Sequence, residues 1–361
     1  MFLSLRDLKV TKGRYVLVCC VIALIAVMTT VLSGLATGLV DDGISGLRDL
    51  PLTHLAFQEG SESNFSRSTL NDTNYEPWKK SQDIETSQLG VSFFNARTSS
   101  GETIDMALFG VPEDSFLAPD QQALESLSGP PGIVLSEKSR IEGLKVGDLV
   151  TIEGPGVQLP ILGFTYTGSY GHVPIAFTSL ATWQELFYGE NANGRYSAIA
   201  IRSNDSSNFA ALEKETQTEV KSKEASFAGS PGYSAETATM ALIRSFLLAF
   251  SALIVGAFFT VWTIQRTRQI GLLKAIGASN WYVLKDALGQ LVLLMVVSTT
   301  FGVLVGVGLG SLVGDDAPFS LDARSIVSSN ILLAILGIAG SLVAVRRITK
   351  VDPIIALGSE N

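Results

Sequence analysis

Two cysteines and two histidines are all that this 361-residue sequence offers as thiol or imidazole groups. The cysteines, Cys19 and Cys20, are adjacent and sit inside an apolar run, so they cannot staple a domain elsewhere in the chain. Any folded part outside that run must hold together by its core alone. The histidines, His54 and His172, stand apart from each other and from any obvious constellation, and a lone histidine at a strand edge reads as structural unless partners converge on it. No GxxxxGK(S/T) loop is present, which excludes ATP hydrolysis in the P-loop manner, and neither HExxH nor CxxC occurs. No catalytic residues are assigned.

Charge is also sparse at 17%, whereas 47% of the residues are hydrophobic and are concentrated at the start and in the last third. A run of about 18 or more apolar residues matches a hydrocarbon core and reads as a membrane-spanning helix. Four such stretches are expected, at 15–40, 240–264, 282–313 and 326–345. The first is longer than the roughly 7–15-residue apolar region of a signal peptide, which favours retention even though Ala36-Thr37-Gly38 resembles a weak cleavage site. Lys285 and Asp286 interrupt the start of the third.

Positive charges orient these spans. Arg6, Lys9, Lys12 and Arg14 precede the first; Arg266, Arg268, Lys274 and Lys285 lie between the second and third; Arg346, Arg347 and Lys350 follow the fourth. The loop 314–325 instead carries Asp315, Asp316 and Asp322 against Arg324. Basic flanks stay inside, so both termini and 265–281 are expected in the cytoplasm, with 41–239 and 314–325 outside. The outer segment 41–239 carries 27 of the 34 acidic residues and 13 of the 26 basic ones, and so more than the net charge of −8. An acidic outer domain argues against nucleic acid or an anionic membrane surface as its partner. Residues 1–14, with Phe2, Leu3, Leu5, Leu8 and Val10 among Arg6, Asp7 and Lys9, form an amphipathic lead-in at the interface, and 346–361 form a cytoplasmic tail.

The outer segment reads as mixed α and β. Strands are expected at Leu52–Phe57, Val91–Asn95, Ile104–Phe109, Ile133–Ser136, Leu149–Ile152, Leu159–Tyr166, Pro174–Phe177 and Ala198–Arg202. Helices are expected at Leu180–Phe187 and, capped by Asn204-Asp205-Ser206, at Ser207–Lys221. The polar stretch Gln58–Ser87 reads as loop. In the spans, Gly34 and Gly38, and Gly302, Gly306 and Gly310, repeat a small residue every four positions, which suits either close packing within the chain or a dimer seam.

The segment Arg266–Ser279, RTRQIGLLKAIGAS, resembles a pattern of MacB/FtsX-type ABC transporter permeases, with Gln269 where that pattern has Glu. The tail Ile348–Leu357, the start LSLRDLKVTKGRYVL, and Val134–Glu137 followed by Leu144–Asp148 are similar to further parts of that family. The resemblance implies an α-helical membrane protein of four transmembrane helices with a mixed α+β extracellular MacB-like domain inserted between helices 1 and 2. It implies a homodimer of permeases served by a separate ABC ATPase subunit, which holds the ATP, and it makes 265–281 the coupling helix, with Arg266, Arg268, Ile270, Gly271, Leu273, Lys274, Ile276 and Gly277 facing the ATPase. Ile270, Leu273 and Ile276 would supply its apolar face.

Among the subfamilies the whole chain looks most like the haem (hemin) exporters of the HrtB group. Haem is a flat apolar plate whose iron takes Met, His, Tyr, Cys or carboxylate ligands and whose propionates suit arginine. Met28, Tyr233, Glu236, Met240 and Arg244 are the candidate haem-binding residues, with Met28 a candidate iron ligand; the last four recur at offsets of about 3–4 on one helical face. Haem would be the transported substrate, with no cofactor permanently bound. MacB-like export of an antimicrobial peptide or lipid amphiphile, and FtsX-like transmission of force to an extracellular cell-wall hydrolase, are the alternatives.

Overall fold

The computed structural model describes residues 12–81, 83–141, 143–203, 209–265, 267–313 and 317–348. In chain order the elements are α1 (Lys12–Arg48), β1 (His54–Gln58), α2 (Asp72–Lys79), β2 (Glu85–Thr98), β3 (Thr103–Val111), α3 (Gln121–Leu127), β4 (Ile133–Ser136), α4 (Glu137–Ile141), β5 (Leu149–Ile152), β6 (Gln158–Thr165), β7 (Ser169–Tyr170) and β8 (Val173–Ser179). There follow α5 (Leu180–Tyr188), β9 (Ala198–Arg202), α6 (Ala210–Thr216), β10 (Thr218–Ser222), α7 (Lys223–Ser226), α8 (Tyr233–Gln265), α9 (Thr267–Ala275), α10 (Asn280–Gly310) and α11 (Ala323–Ile348). The chain divides into two compact units, one of Met1–Leu39 with Thr237–Asn361 and one of Val40–Glu236.

Among the described residues, four helices are long and apolar enough to cross a membrane, over Tyr15–Arg48, Tyr233–Val261, Trp281–Gly310 and Ala323–Ser341. Lipid gives apolar side chains no reason to leave it for one another, so close packing and hydrogen bonds must hold such helices together. Glycine makes the close approaches. A Cβ on Gly302 would lie 2.6 Å from that of Ala26, and one on Gly306 would lie 2.8 Å from that of Thr30, which fits α10 to α1. Gly256 and Gly340 let the backbones of α8 and α11 touch. Between α1 and α11 the buried Ser33 and Ser329 hydroxyls are hydrogen-bonded at 3.0 Å, and Asn330 Nδ2 donates to Thr30 Oγ1 at 3.1 Å. Gly34 and Gly38 are covered from within the chain: Phe319 lies on Gly34, the Pro318–Phe319 backbone lies on Gly38, and Ser320 N donates to Gly34 O at 3.0 Å. Of the two uses open to these glycines, packing within the chain is the one seen. Asp322 caps α11, accepting from Ser325 N at 2.8 Å, and hydrogen bonds from the Ser325 side chain and backbone lower its pKa.

In the second unit ten strands run β10-β1-β9-β2-β3-β8-β4-β6-β5, with β7 paired to β8. The long β2 is shared. Its first residues pair with β9, and Ala96–Thr98 pair with β5, so β2, β3, β8, β4, β6 and β5 close into a ring without free edges. Alternation along the strands makes two cores. Phe57, Phe109, Tyr170 and Phe177 belong to one; Ala56, Leu108, Trp183, Ile199 and Ile201 belong to the other. Trp183 of α5 is fully buried over Gly90 and Gly110, and its Nε1 donates to Ser92 Oγ at 2.7 Å.

Two local expectations are corrected. The stretch 58–87 is not all loop: Asn71 caps α2, whose Trp78 is buried and donates to Thr216 Oγ1 at 3.0 Å. The helix expected over 207–221 ends at Thr216, because Gln217 turns left-handed at φ 55° and 218–222 pair with β1 as an edge strand. Its expected cap at 204–206 lies outside the described residues. The helix α8 begins at Tyr233, so residues 233–244, whose spacing suggested one helical face, are helical.

Candidate functional site

Within the second unit the last turns of α1, the β7–β8 turn and the first turn of α8 meet around one imidazole. The turn is a two-residue hairpin loop, Gly171-His172, with φ of 60° and 67°. Positive φ at both positions is the type I′ geometry that suits the twist of paired strands, and glycine or asparagine usually fills it. Histidine there is uncommon. The turn docks on α1 through its backbone, with Gly171 N donating to Gly43 O at 2.9 Å and His172 N to Asp42 O at 3.3 Å. Ser230 Oγ donates to the same Gly43 carbonyl at 2.8 Å.

The His172 ring is engaged on both edges. Nδ1 lies 3.2 Å from Asp42 Oδ2, and Nε2 lies 2.9 Å from Glu236 Oε1. Lys138 Nζ of α4 sits 3.4 Å from the other Asp42 oxygen. Gly232 gives the Glu236 carboxylate its room: φ is +82°, and a Cβ there would lie 2.5 Å from Oε1. Below the turn, Tyr170 is buried against Phe65, Phe93 and Phe109, and burial pushes its phenol well above the ordinary range. Tyr166 Oη donates to Gly46 O at 2.8 Å and is raised in the same way by burial.

Of the residues singled out for haem, Tyr233, Glu236, Met240 and Arg244 all lie on α8, and each is half-buried while Leu242, Ile243 and Phe246 of the same helix are exposed. Met28 is 48% exposed on α1, off the face that buries Ala26, Thr29 and Thr30. Glu236 is brought to His172, whose other edge meets Asp42; the spacing singled out neither. The local signal was a Gly-His pair between two short strands; nothing in the spacing pointed to residues 130 and 64 positions away.

The segment expected to couple to an ATPase forms α9. Arg266 lies outside the described residues, as does the Arg268 side chain. Gly277, at φ +98°, ends the helix: Ala278 N donates to Leu273 O at 2.9 Å and Gly277 N to Lys274 O at 3.0 Å. Ile270, Leu273 and Ile276 do not make one exposed apolar face. Ile270 is only 7% exposed and packs in a cluster with Val283, Ala287 and Leu291, Gly271 is buried, and Leu273 and Lys274 are half-buried. A helix lying along its neighbours must bury one side, and Ile270 is on it. The exposed apolar residues are Leu272 and Ile276, at 55% and 75%.

The FtsX-like permease C-terminal family matches residues 241–353. The hemin transport system permease protein HrtB of Staphylococcus haemolyticus is 27% identical over 358 residues, 99% of each chain. The macrolide export ATP-binding/permease protein MacB of Hahella chejuensis is 28% identical over 131 residues, 34% of this chain and 20% of that one. The periplasmic region of MacB from Actinobacillus actinomycetemcomitans superposes with a TM-score of 0.36 at 14% identity, covering 50% of this chain and 94% of that one. Four apolar helices among the described residues mark a membrane protein, whose C-terminal third matches the FtsX-like permease family and whose whole length is similar to that of an ABC-transporter permease.

Proposed function

We propose that this permease exports haem across the cell membrane as a multi-pass homodimer, with ATP hydrolysed by a separate subunit. The observation that carries the reading is similarity to a hemin transport permease over 99% of both chains. The chemistry of α8 supports it. Tyr233, Glu236, Met240 and Arg244 place oxygen and sulfur donors and a cation for propionates along one helix. Met28 of α1 completes the proposed set as an iron ligand.

Residues 265–281 are the proposed cytoplasmic coupling segment, with both termini on the same side as the basic flanks require. Leu272 and Ile276 then supply the surface that meets the ATPase, and Ile270 anchors the helix to its own chain. The test is an absorbance titration of hemin into the detergent-purified permease–ATPase complex, with ATPase rate followed in parallel. A saturable Soret shift with a changed rate is expected. An active complex that shows neither would sink haem export and turn attention to peptide or lipid amphiphiles.

A further inference from the structure

We propose that His172 is a positioning residue for Glu236 in the substrate site, with Asp42 behind it as the group that fixes the imidazole. The inference rests on the haem reading and adds residues to it. Asp42 belongs to α1, His172 to the β7–β8 turn and Glu236 to the first turn of α8, so one ring ties three elements. Two features point to a placed group and not to a chance surface contact. The histidine occupies a left-handed turn position at φ 67°, where glycine or asparagine would cost less, and the turn is pinned to α1 by two backbone hydrogen bonds. Gly232, also left-handed, leaves the space that the Glu236 carboxylate fills.

A glutamate in the first turn of a helix has three side-chain torsions to settle, and ordering them on binding weakens affinity. His172 settles them beforehand. Asp42 Oδ2 lies 3.2 Å from Nδ1 and Glu236 Oε1 lies 2.9 Å from Nε2; both partners are carboxylates, so the ring bridges them when each nitrogen carries a proton, and Asp42 then fixes the ring that holds Glu236. Lys138 beside Asp42 is the other charged side chain seen in this group, and it holds that carboxylate in turn.

Hemin titrations of the permease–ATPase complex test this with the wild type, His172→Ala, His172→Gln, Glu236→Gln and the His172→Ala/Glu236→Gln double variant. Loss of an outer partner of this kind lowers affinity about tenfold, the loss expected for His172→Ala. His172→Gln keeps an N–H donor and should recover most of it. The double variant should bind no worse than Glu236→Gln alone, because His172 acts through that carboxylate. A histidine with a structural role only would give additive losses and no rescue by glutamine. Hemin affinity of His172→Ala equal to wild type, or additive losses in the double variant, overturns the inference while leaving haem export standing. A wild type with no saturable Soret change removes haem export and the inference with it. Should His172→Ala fail to fold, Asp42→Asn takes its place: its loss of affinity should vanish in the Glu236→Gln background, and persistence there counts against the proposal.

Discussion

On the coupling role proposed for 265–281, truncating Ile276 should loosen the ATPase from this chain, whereas truncating Ile270, six residues earlier, should loosen the chain's own packing. Full burial of an isoleucine side chain contributes about 1.5–3 kcal/mol. Ile276 is 75% exposed in the isolated chain, so a partner that covers it gains most of that, roughly 1–2 kcal/mol. Ile276→Ala forfeits the larger part, which is about a tenfold loss of affinity for each coupling helix. Leu272→Ala, at 55% exposure, should lose somewhat less. The assay titrates the purified ATPase into the permease in detergent and reads complex formation, with the permease's thermal midpoint measured alongside. Ile276→Ala should shift the titration and leave the midpoint alone. Ile270→Ala should lower the midpoint, because it empties a packed site beside Val283 and Ala287. If Ile276→Ala and Leu272→Ala titrate like the wild type while Ile270→Ala weakens docking at an unchanged midpoint, the assignment of faces on α9 is wrong.

Other consequences are open to direct measurement. Trp183→Ala should destabilise the outer domain by about 3–5 kcal/mol in denaturant titrations, and Gly110→Ala by about 1–3 kcal/mol, because the new Cβ would lie 2.3 Å from the Trp183 Cβ, which cannot swing away. Gly306→Leu should lower the thermal midpoint in detergent by forcing α10 off Thr30, while Gly308→Leu, with nothing within 4 Å of its Cβ position, should be tolerated. Burial raises the phenol pKa values of Tyr166, Tyr170 and Tyr196 above the unfolded value. Their contribution to stability is therefore complete below about pH 10 and is lost as pH rises from there towards the folded values. Phenolate absorbance from these three should appear only together with alkaline unfolding, and its appearance in folded protein would count against their burial.

Much of the fold was legible because one physical signal dominated each element. Long, nearly uncharged runs mark α1, α8, α10 and α11, since a helix satisfies its backbone within one such run across a bilayer. Short β-branched runs between turn residues mark β4, β5 and β9, whose observed limits equal the expected ones. The misses are places where a weak local pattern is settled by a distant partner. The α2 sequence DTNYEPWK is polar and contains Pro77, yet Asn71 caps it and Trp78 anchors it to Thr216. The first residues of β2 are polar and extend because β9 lies beside them. In 218–222 the charges of Thr-Glu-Val-Lys-Ser suit an exposed helix and an edge strand equally well, and the left-handed turn at Gln217 with pairing to β1 decides for the strand.

The site divides in the same way. A helical face can be read from spacing, so Tyr233, Glu236, Met240 and Arg244 could be grouped on α8 before any coordinates. What acts on that face could not be. His172 looked isolated because its partners are 130 residues before it and 64 after it, and only the closure of β8 into the ring and the docking of its turn on α1 bring the three together. The coupling segment teaches the converse. Its pattern identified the helix, but a period of 3.6 gives a face without saying whether the chain's own helices already cover it. The structure settles that for each residue, with Ile270 buried and Leu272 and Ile276 open. The same holds for Gly34 and Gly38, whose spacing advertised a close contact that Pro318 and Phe319 of the same chain make. Periodicity therefore locates surfaces in this chain, and long-range topology decides which of them remain available to a ligand or a partner.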